Sequence, residues 1–388
     1  MEIVSRVLPQ ASIGMRRELL SLHYGRRGDG PKAYLQASLH ADELPGMLVI
    51  HHLRRLLDQA EAAGLLRGEI VLAPAANPIG LAQALLHQQP GRFELRSGEN
   101  FNRRFTDFHP LLRSGLEDCL GNDADANLRT VRARMRAALD AQAPVTELDA
   151  LRLELSRMAL DSDLVLDLHC DSQALLHLYA DAPFWPALEP LARYLGVAAV
   201  VLNDEPGGTT FEESCGQSWW RLAGELGPAQ PLPLGCVAAT VELRGQGDLD
   251  HGQARRDAEA LYAYLQLRGH IGGCAPAMPP PVPAPWTWRG MASVSAPTPG
   301  LVLRHCVVGA EVKRGQPLLE LIDPLENRVT PVLSPAEGLL YVSHPLRYAQ
   351  AGMELCRILG RADASARVAC LNVSVMFPAW PERVLSVE

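Results

Sequence analysis

Lysine is nearly missing from this 388-residue chain: only Lys32 and Lys313 occur, and the other 34 of its 36 basic residues are arginine. Planar guanidinium forks suit bidentate recognition of carboxylates. A GC-rich coding bias produces the same count, and composition leaves both readings open. Basic residues are also outnumbered by 44 acidic ones, for a formal net charge of −8. That balance argues against a broadly basic nucleic-acid binder, although a local arginine cluster still accommodates an anionic substrate. Paired cysteines are lacking. The eight stand singly at 119, 170, 215, 236, 274, 306, 356 and 370, with no CxxC. This speaks against a disulfide framework and a zinc knuckle, and for reduced, mostly buried thiols in a cytoplasmic protein. No apolar run approaches the ~18 residues of a membrane span. Residues 1–17 carry charges and Pro9 with no continuous apolar stretch, so neither a span nor a signal peptide is expected.

What is present suits a globular protein: 47% hydrophobic and 21% charged residues supply a sizeable core. At roughly 150 residues per domain the length suggests two or three domains. The clearest boundary is 272–285, with six prolines in fourteen residues, which suits neither a helix interior nor a central strand. We therefore expect a catalytic domain over 1–271, a Pro-rich linker over 272–286 and a β-domain over 287–388. In the first part, strands are predicted over 33–39, 69–73, 163–168, 174–179, 198–202 and 236–243, and helices over 47–62 and 252–267. Alternating strand and helix signals predict an α/β fold with a mixed sheet flanked by helices. Amphipathic helices over 124–141 and 146–160 read as a helical insertion within about 108–160, and 204–214 as a loop. The last part repeats itself: Pro299-Gly300-Leu301-Val302 matches Glu337-Gly338-Leu339-Leu340, and 315–322 matches 352–358. Two such halves predict a small all-β barrel resembling a biotinyl/lipoyl barrel. The hairpin 322–328 has no lysine to carry a cofactor, so a barrel without carrier function is expected.

Chemistry concentrates where strands end. His40 and Glu43 form HxxE just after the first predicted strand, and His169 closes the run 163–168. Open α/β sheets place ligand sites at such ends. Two imidazoles and one carboxylate are the set used by catalytic zinc, which keeps one position open. Singly, each residue also reads as a loop or core side chain. Glu242 ends the strand 236–243, where it is either a carboxylate paired with Arg244 or a group that takes a proton from attacking water and passes it to a leaving amine. Asn102 and Arg103, flanked by Phe101 and Phe105, read as a surface basic patch or as a carboxylate handle.

Taken in order, HADE with its Pro-Gly, then ANP, FNRRF, DLH and VEL resemble the succinylglutamate desuccinylase/aspartoacylase family, relatives of the zinc carboxypeptidases. The resemblance implies a zinc carboxypeptidase-like fold and one Zn²⁺ per chain held by His40, Glu43 and His169. It also implies Glu242 as general acid/base, and Asn102 with Arg103 on the substrate carboxylate. An upstream arginine that polarises the scissile carbonyl falls on Arg92, with Arg96 as the other candidate. The implied activity is zinc-dependent cleavage of the amide of a small anionic N-acyl amino acid, with no nucleic-acid or membrane partner. The same groups also serve a metallocarboxypeptidase acting on small or modified peptides. A homo-oligomer is compatible with such enzymes, and a non-catalytic scaffold is the reading least compatible with the intact set. The chain departs from the family where the aspartate of its Asp-Leu-Asn-Arg gives way to Glu99-Asn100-Phe101 before Asn102.

Overall fold

Runs such as 164–168, apolar but for Asp167, have little to offer water, and they become strands covered on both sides. The computed structural model describes residues 1–360 except Pro206 and Gly208. Cys370 and the rest of the predicted C-terminal domain beyond 360 lie outside the described residues, as do those two positions of the 204–214 loop. Among the described residues, nine strands form one mixed sheet: β1 (Glu2–Val7), β2 (Glu18–Gly25), β3 (Lys32–Ala37), β4 (Glu69–Ala73), β5 (Leu164–Asp171), β6 (His177–Asp181), β7 (Ala199–Asn203), β8 (Val237–Gly245) and β9 (Trp286–Thr287). Their spatial order is β1-β2-β4-β3-β5-β8-β6-β7-β9. The central β4, β3, β5 and β8 run parallel. The chain leaves β3 toward β4 on one side and later returns as β5 on the other, so the strand order reverses at β3 and β5, where such sheets form a crevice.

Helices cover both faces. They are α1 (Pro45–Ala62), α2 (Pro78–Leu81), α3 (Phe108–Arg113), α4 (Ala124–Asp140), α5 (Glu147–Ala159), α6 (Trp185–Leu195), α7 (Phe211–Glu225) and α8 (His251–Leu267). α1, α6 and α8 bury Leu53, Leu188 and Leu261 against Leu164, Leu166 and Leu168 of β5. α3, α4, α5 and α7 bury Leu112, Met135, Leu151 and Trp219 against the other face, with Val165. α5 starts at a capping box in which Thr146 and Asp149 each satisfy the other's backbone N–H, a device that fixes where a helix begins.

Three features depart from the sequence expectation. The edge hairpin β1–β2 has no clear sequence signal, because β1 holds only exposed and half-buried residues and carries no apolar face. The loop 204–214 already becomes helix α7 at Phe211, where the Glu213 carboxylate accepts from Thr210 N–H. The strand expected over 174–179 starts only at His177. The backbone before it pairs elsewhere: Leu175 N–H donates to Tyr341 O at 3.0 Å and Ser343 N–H to Gln173 O at 2.8 Å.

The proline-rich stretch runs along α6, where Arg193 and Tyr194 donate to the carbonyls of Pro279 and Pro276, and then enters the sheet as β9 beside β7. An all-antiparallel region follows: β10 (Met291–Ser295), β11 (Gly300–Arg304), β12 (Glu311–Val312), β13 (Pro317–Asp323), β14 (Arg328–Leu333), β15 (Gly338–Ser343), β16 (Tyr348–Ala349) and β17 (Glu354–Gly360). Among the described residues it forms two four-stranded sheets, β10-β17-β15-β12 and β14-β13-β11-β16. Moving from Gly300 to Gly338, or from Pro317 to Glu354, exchanges one sheet for the other. The sequence repeat is thus an internal pseudo-twofold. The β13–β14 turn holds Pro324, Leu325, Glu326 and Asn327 and offers no lysine.

α1 begins against the crevice because Gly46 lets it. A Cβ there would stand 2.9 Å from the Cβ atoms of both Ala37 and Leu168. Gly46→Ala is expected to destabilise the fold by about 1–3 kcal/mol, the usual cost of overpacking, read as a lower denaturation midpoint. An unchanged midpoint would show that the contact yields without cost.

Candidate metal centre and active site

β3 ends at Ala37, and a tight turn carries His40 and Glu43 before Pro45 starts α1. β5 brings His169 beside them. All three side chains are buried, and each offers one ligand atom within 4.8 Å of the others. Glu43 stands at the centre: Oε1 is 2.9 Å from His40 Nδ1, and Oε2 is 2.8 Å from His169 Nδ1 and 3.2 Å from Cys170 N–H. Burial alone would raise its pKa, but His40 and His169 hold it well below the usual carboxylate range. Burial likewise works against the charge on His169, yet the Asp167 and Glu43 carboxylates hold its pKa well above the ordinary imidazole value. His169 Nε2 lies 2.9 Å from Asp167 Oδ2, but off hydrogen-bond geometry, leaving both atoms without a hydrogen-bond partner. His40 is pushed down by burial and by Arg92.

Asn100 decides the state of His40. Its Oδ1 accepts from Asn102 N–H at 2.8 Å, which identifies that atom as the oxygen, and the same oxygen lies 2.9 Å from His40 Nε2. A neutral His40 donates to it from Nε2, the tautomer that leaves Nδ1 available to ligate a metal. In that tautomer the Nδ1 lone pair faces the Glu43 carboxylate, and a cation held between the two would satisfy both. Two imidazole nitrogens and a carboxylate fit zinc, and the buried triad is consistent with one such ion.

Glu242 is the direct parallel-strand neighbour of His169. Burial, reinforced by the Glu43 charge, pushes it up to about 8, and its Oε2 has no hydrogen-bond partner. Any cation held by the triad opposes that shift, because part of its cause is the charge of Glu43. The alternative pairing with Arg244 does not occur. Arg244 turns to α8 and grips Asp257 bidentately at 2.8 and 3.0 Å.

Arg92 reaches the centre, with Nη1 3.0 Å from Glu43 Oε1 and about half of its side chain exposed. Arg96 is exposed on the following turn and has no hydrogen bond or ion pair among the described residues. Asn102 is buried, and its Oδ1 accepts from Phe211 N–H at 2.8 Å, tying the loop to the start of α7. Arg103 donates to Asn102 O at 2.7 Å, and burial lowers its pKa against the pull of Glu212. Phe101 and Phe105 are buried beneath this loop, with Phe105 edge-on to Phe211 at 5.2 Å. Asn100 and Gln246, whose amide donates to Asp42 Oδ2 at 2.8 Å, were not singled out from sequence. For Asn100 a signal existed, since it stands in the segment that departs from the resembled motif.

Residues 29–268 match the family model described as the succinylglutamate desuccinylase/aspartoacylase catalytic domain. A succinylglutamate desuccinylase/aspartoacylase family protein from Shewanella amazonensis SB2B superposes with a TM-score of 0.81 at 27% identity, covering 92% of this chain and 98% of its own. The succinylglutamate desuccinylase/aspartoacylase from Shewanella frigidimarina NCIMB 400 has the same TM-score at 23% identity, covering 92% and 97%. The ectoine utilization protein EutE (DoeB) from Ruegeria pomeroyi shares the fold at a TM-score of 0.64 and 15% identity, covering 92% and 95%. A comparison with curated proteins finds no match.

Asn100→Ala is expected to weaken zinc binding about 10- to 100-fold, the usual effect of removing a ligand's hydrogen-bond partner. Asn100→Asp is expected to retain it, because a carboxylate accepts the same N–H. Chelator competition reads both, and equal affinity in Asn100→Ala would remove Asn100 from the centre.

Proposed function

Because the chain belongs to the succinylglutamate desuccinylase/aspartoacylase family, we propose that it is a zinc-dependent deacylase that cleaves the amide bond of a small, anionic N-acyl amino acid. The observation that carries this reading is a Glu242 whose Oε2 has no hydrogen-bond partner, set beside a buried His40–Glu43–His169 triad. Zinc, when bound, supplies a Lewis acid and brings the pKa of water to about 7. Glu242 takes the proton of the attacking water and returns it to the departing nitrogen. Burial raises the Glu242 pKa and a bound cation opposes that rise, a balance that suits a group which first accepts a proton and then returns it. Arg92, beside Glu43, stabilises negative charge developing on the scissile carbonyl oxygen, a type of contact typically worth about 3 kcal/mol. Arg103 holds the amino-acid carboxylate through its guanidinium fork, and Asn102 fixes that loop against α7. The partial burial of Arg103 strengthens its grip, since less water competes for it.

The experiment is a turnover screen of acetyl- and succinyl-amino acids against dipeptides, on the wild type and Glu242→Gln. The wild type is expected to hydrolyse N-acyl amino acids. Glu242→Gln is expected to keep its zinc and lose about 10²- to 10⁴-fold in kcat. Turnover of dipeptides alone would move the assignment to a carboxypeptidase, and full activity in the variant would remove Glu242 from the mechanism.

A further inference from the structure

The antiparallel β-region holds the segment by which the chain leaves the metal-ligand strand. Arg357 on β17 grips Glu354 bidentately, at 2.9 and 2.8 Å, and donates through Nη1 to Asp171 Oδ2 at 2.9 Å. Asp171 is the last residue of β5, two positions beyond His169. His344 spans the same gap, with Nε2 3.1 Å from Glu354 Oε2 and Nδ1 2.9 Å from Ser172 Oγ. The backbone follows, with Ala174 bridging to Val342.

These contacts continue inward. Gln246, just beyond β8, donates its backbone N–H to Asp171 O at 2.9 Å and its side-chain amide to Asp42 Oδ2 at 2.8 Å. Asp42 lies in the turn between His40 and Glu43. An unbroken series of hydrogen bonds and chain segments therefore runs from Arg357 through Asp171 and Gln246 to the metal-ligand turn.

The physical consequence follows from rigidity. The bidentate pair with Glu354 fixes the orientation of the Arg357 guanidinium, which then meets Asp171 through Nη1 alone. The side chains of Arg357 and Asp171 are only 23% and 13% exposed, so solvent screens their attraction less than at the surface. Metal ligands must be held to within about 0.5 Å. The geometry points to Arg357 as a positioning residue: through Asp171 and Gln246, the β-region sets the spacing of His40, Glu43 and His169 without touching them. This inference rests on the reading of that triad as a metal site.

The test is the zinc affinity of the full chain, by competition with a chromophoric chelator, with the unfolding midpoint recorded alongside. Arg357→Met is expected to weaken zinc about 3- to 30-fold, the range over which coupled residues modulate a distant site. Arg357→Lys is expected to recover part of that loss, since an ammonium still donates to Asp171. Asp171→Asn with Arg357→Met is expected to fall no further than Arg357→Met alone, because both changes remove one contact. Wild-type affinity in Arg357→Met, with only the midpoint lowered, would reduce the pair to ordinary stabilisation and overturn the proposal. Fully additive losses would do the same. Should Arg357→Met fail to fold, Gln246→Ala tests the inner end of the series, where unchanged zinc affinity again overturns it. A wild-type chain that takes no zinc would overturn the metal reading itself. Equal binding by wild type and variant overturns the positioning role alone.

Discussion

Glu43 places a carboxylate charge where water barely reaches, against the Nδ1 atoms of His40 and His169 and the guanidinium of Arg92. Taking such a group out of water costs several kcal/mol unless partners compensate, and removing one partner typically costs about 3–5 kcal/mol. Each partner arrives from a different part of the chain: the end of β3, the end of β5, and the loop that also carries Asn100. The parallel central strands bring these ends together, and Gly46 lets α1 close over them. The strand order that makes the crevice therefore also brings the centre together.

Two carboxylates near the centre have opposite characters, and their surroundings explain why. Glu43 has two imidazoles within hydrogen-bond distance and is held ionised. Glu242 has no such partner, lies close to the charge of Glu43, and is pushed toward the neutral form. Divergent environments let one carboxylate stay charged while its neighbour exchanges a proton, the role proposed for Glu242. The diversion of Arg244 to Asp257 matters here, because a guanidinium on Glu242 would have kept it ionised. The added regions brace this arrangement from two sides. Arg152 on α5 holds Glu99 and the Asn100 carbonyl, both at 3.0 Å, while the antiparallel β-region holds Asp171 and Ser172.

The parts legible in the sequence share a local signature. Apolar runs closed by a polar residue marked β3, β5 and β8, and HxxE after the first of them marked His40 and Glu43. The repeat of Gly300 at Gly338 announced the internal symmetry of the β-region. What escaped reading depends on distant contacts. Gln246 reaches Asp42 across about two hundred residues of chain, and nothing in its neighbours' hydropathy points there. Ala174 and Leu175 read as the start of a strand because they open an apolar run, but the Leu175 N–H goes to β15 and not to the large sheet. The N-terminus of α7 escaped because Thr210 and Glu213, three residues apart as in a capping box, follow a glycine-rich stretch that reads as a loop.

The most direct measurement is the zinc content of the purified chain and of His169→Ala. The account expects about one zinc per wild-type chain and its loss from a variant that remains folded by circular dichroism. A wild-type chain that stays metal-free after zinc is supplied, or a His169→Ala chain that retains its zinc, would contradict it.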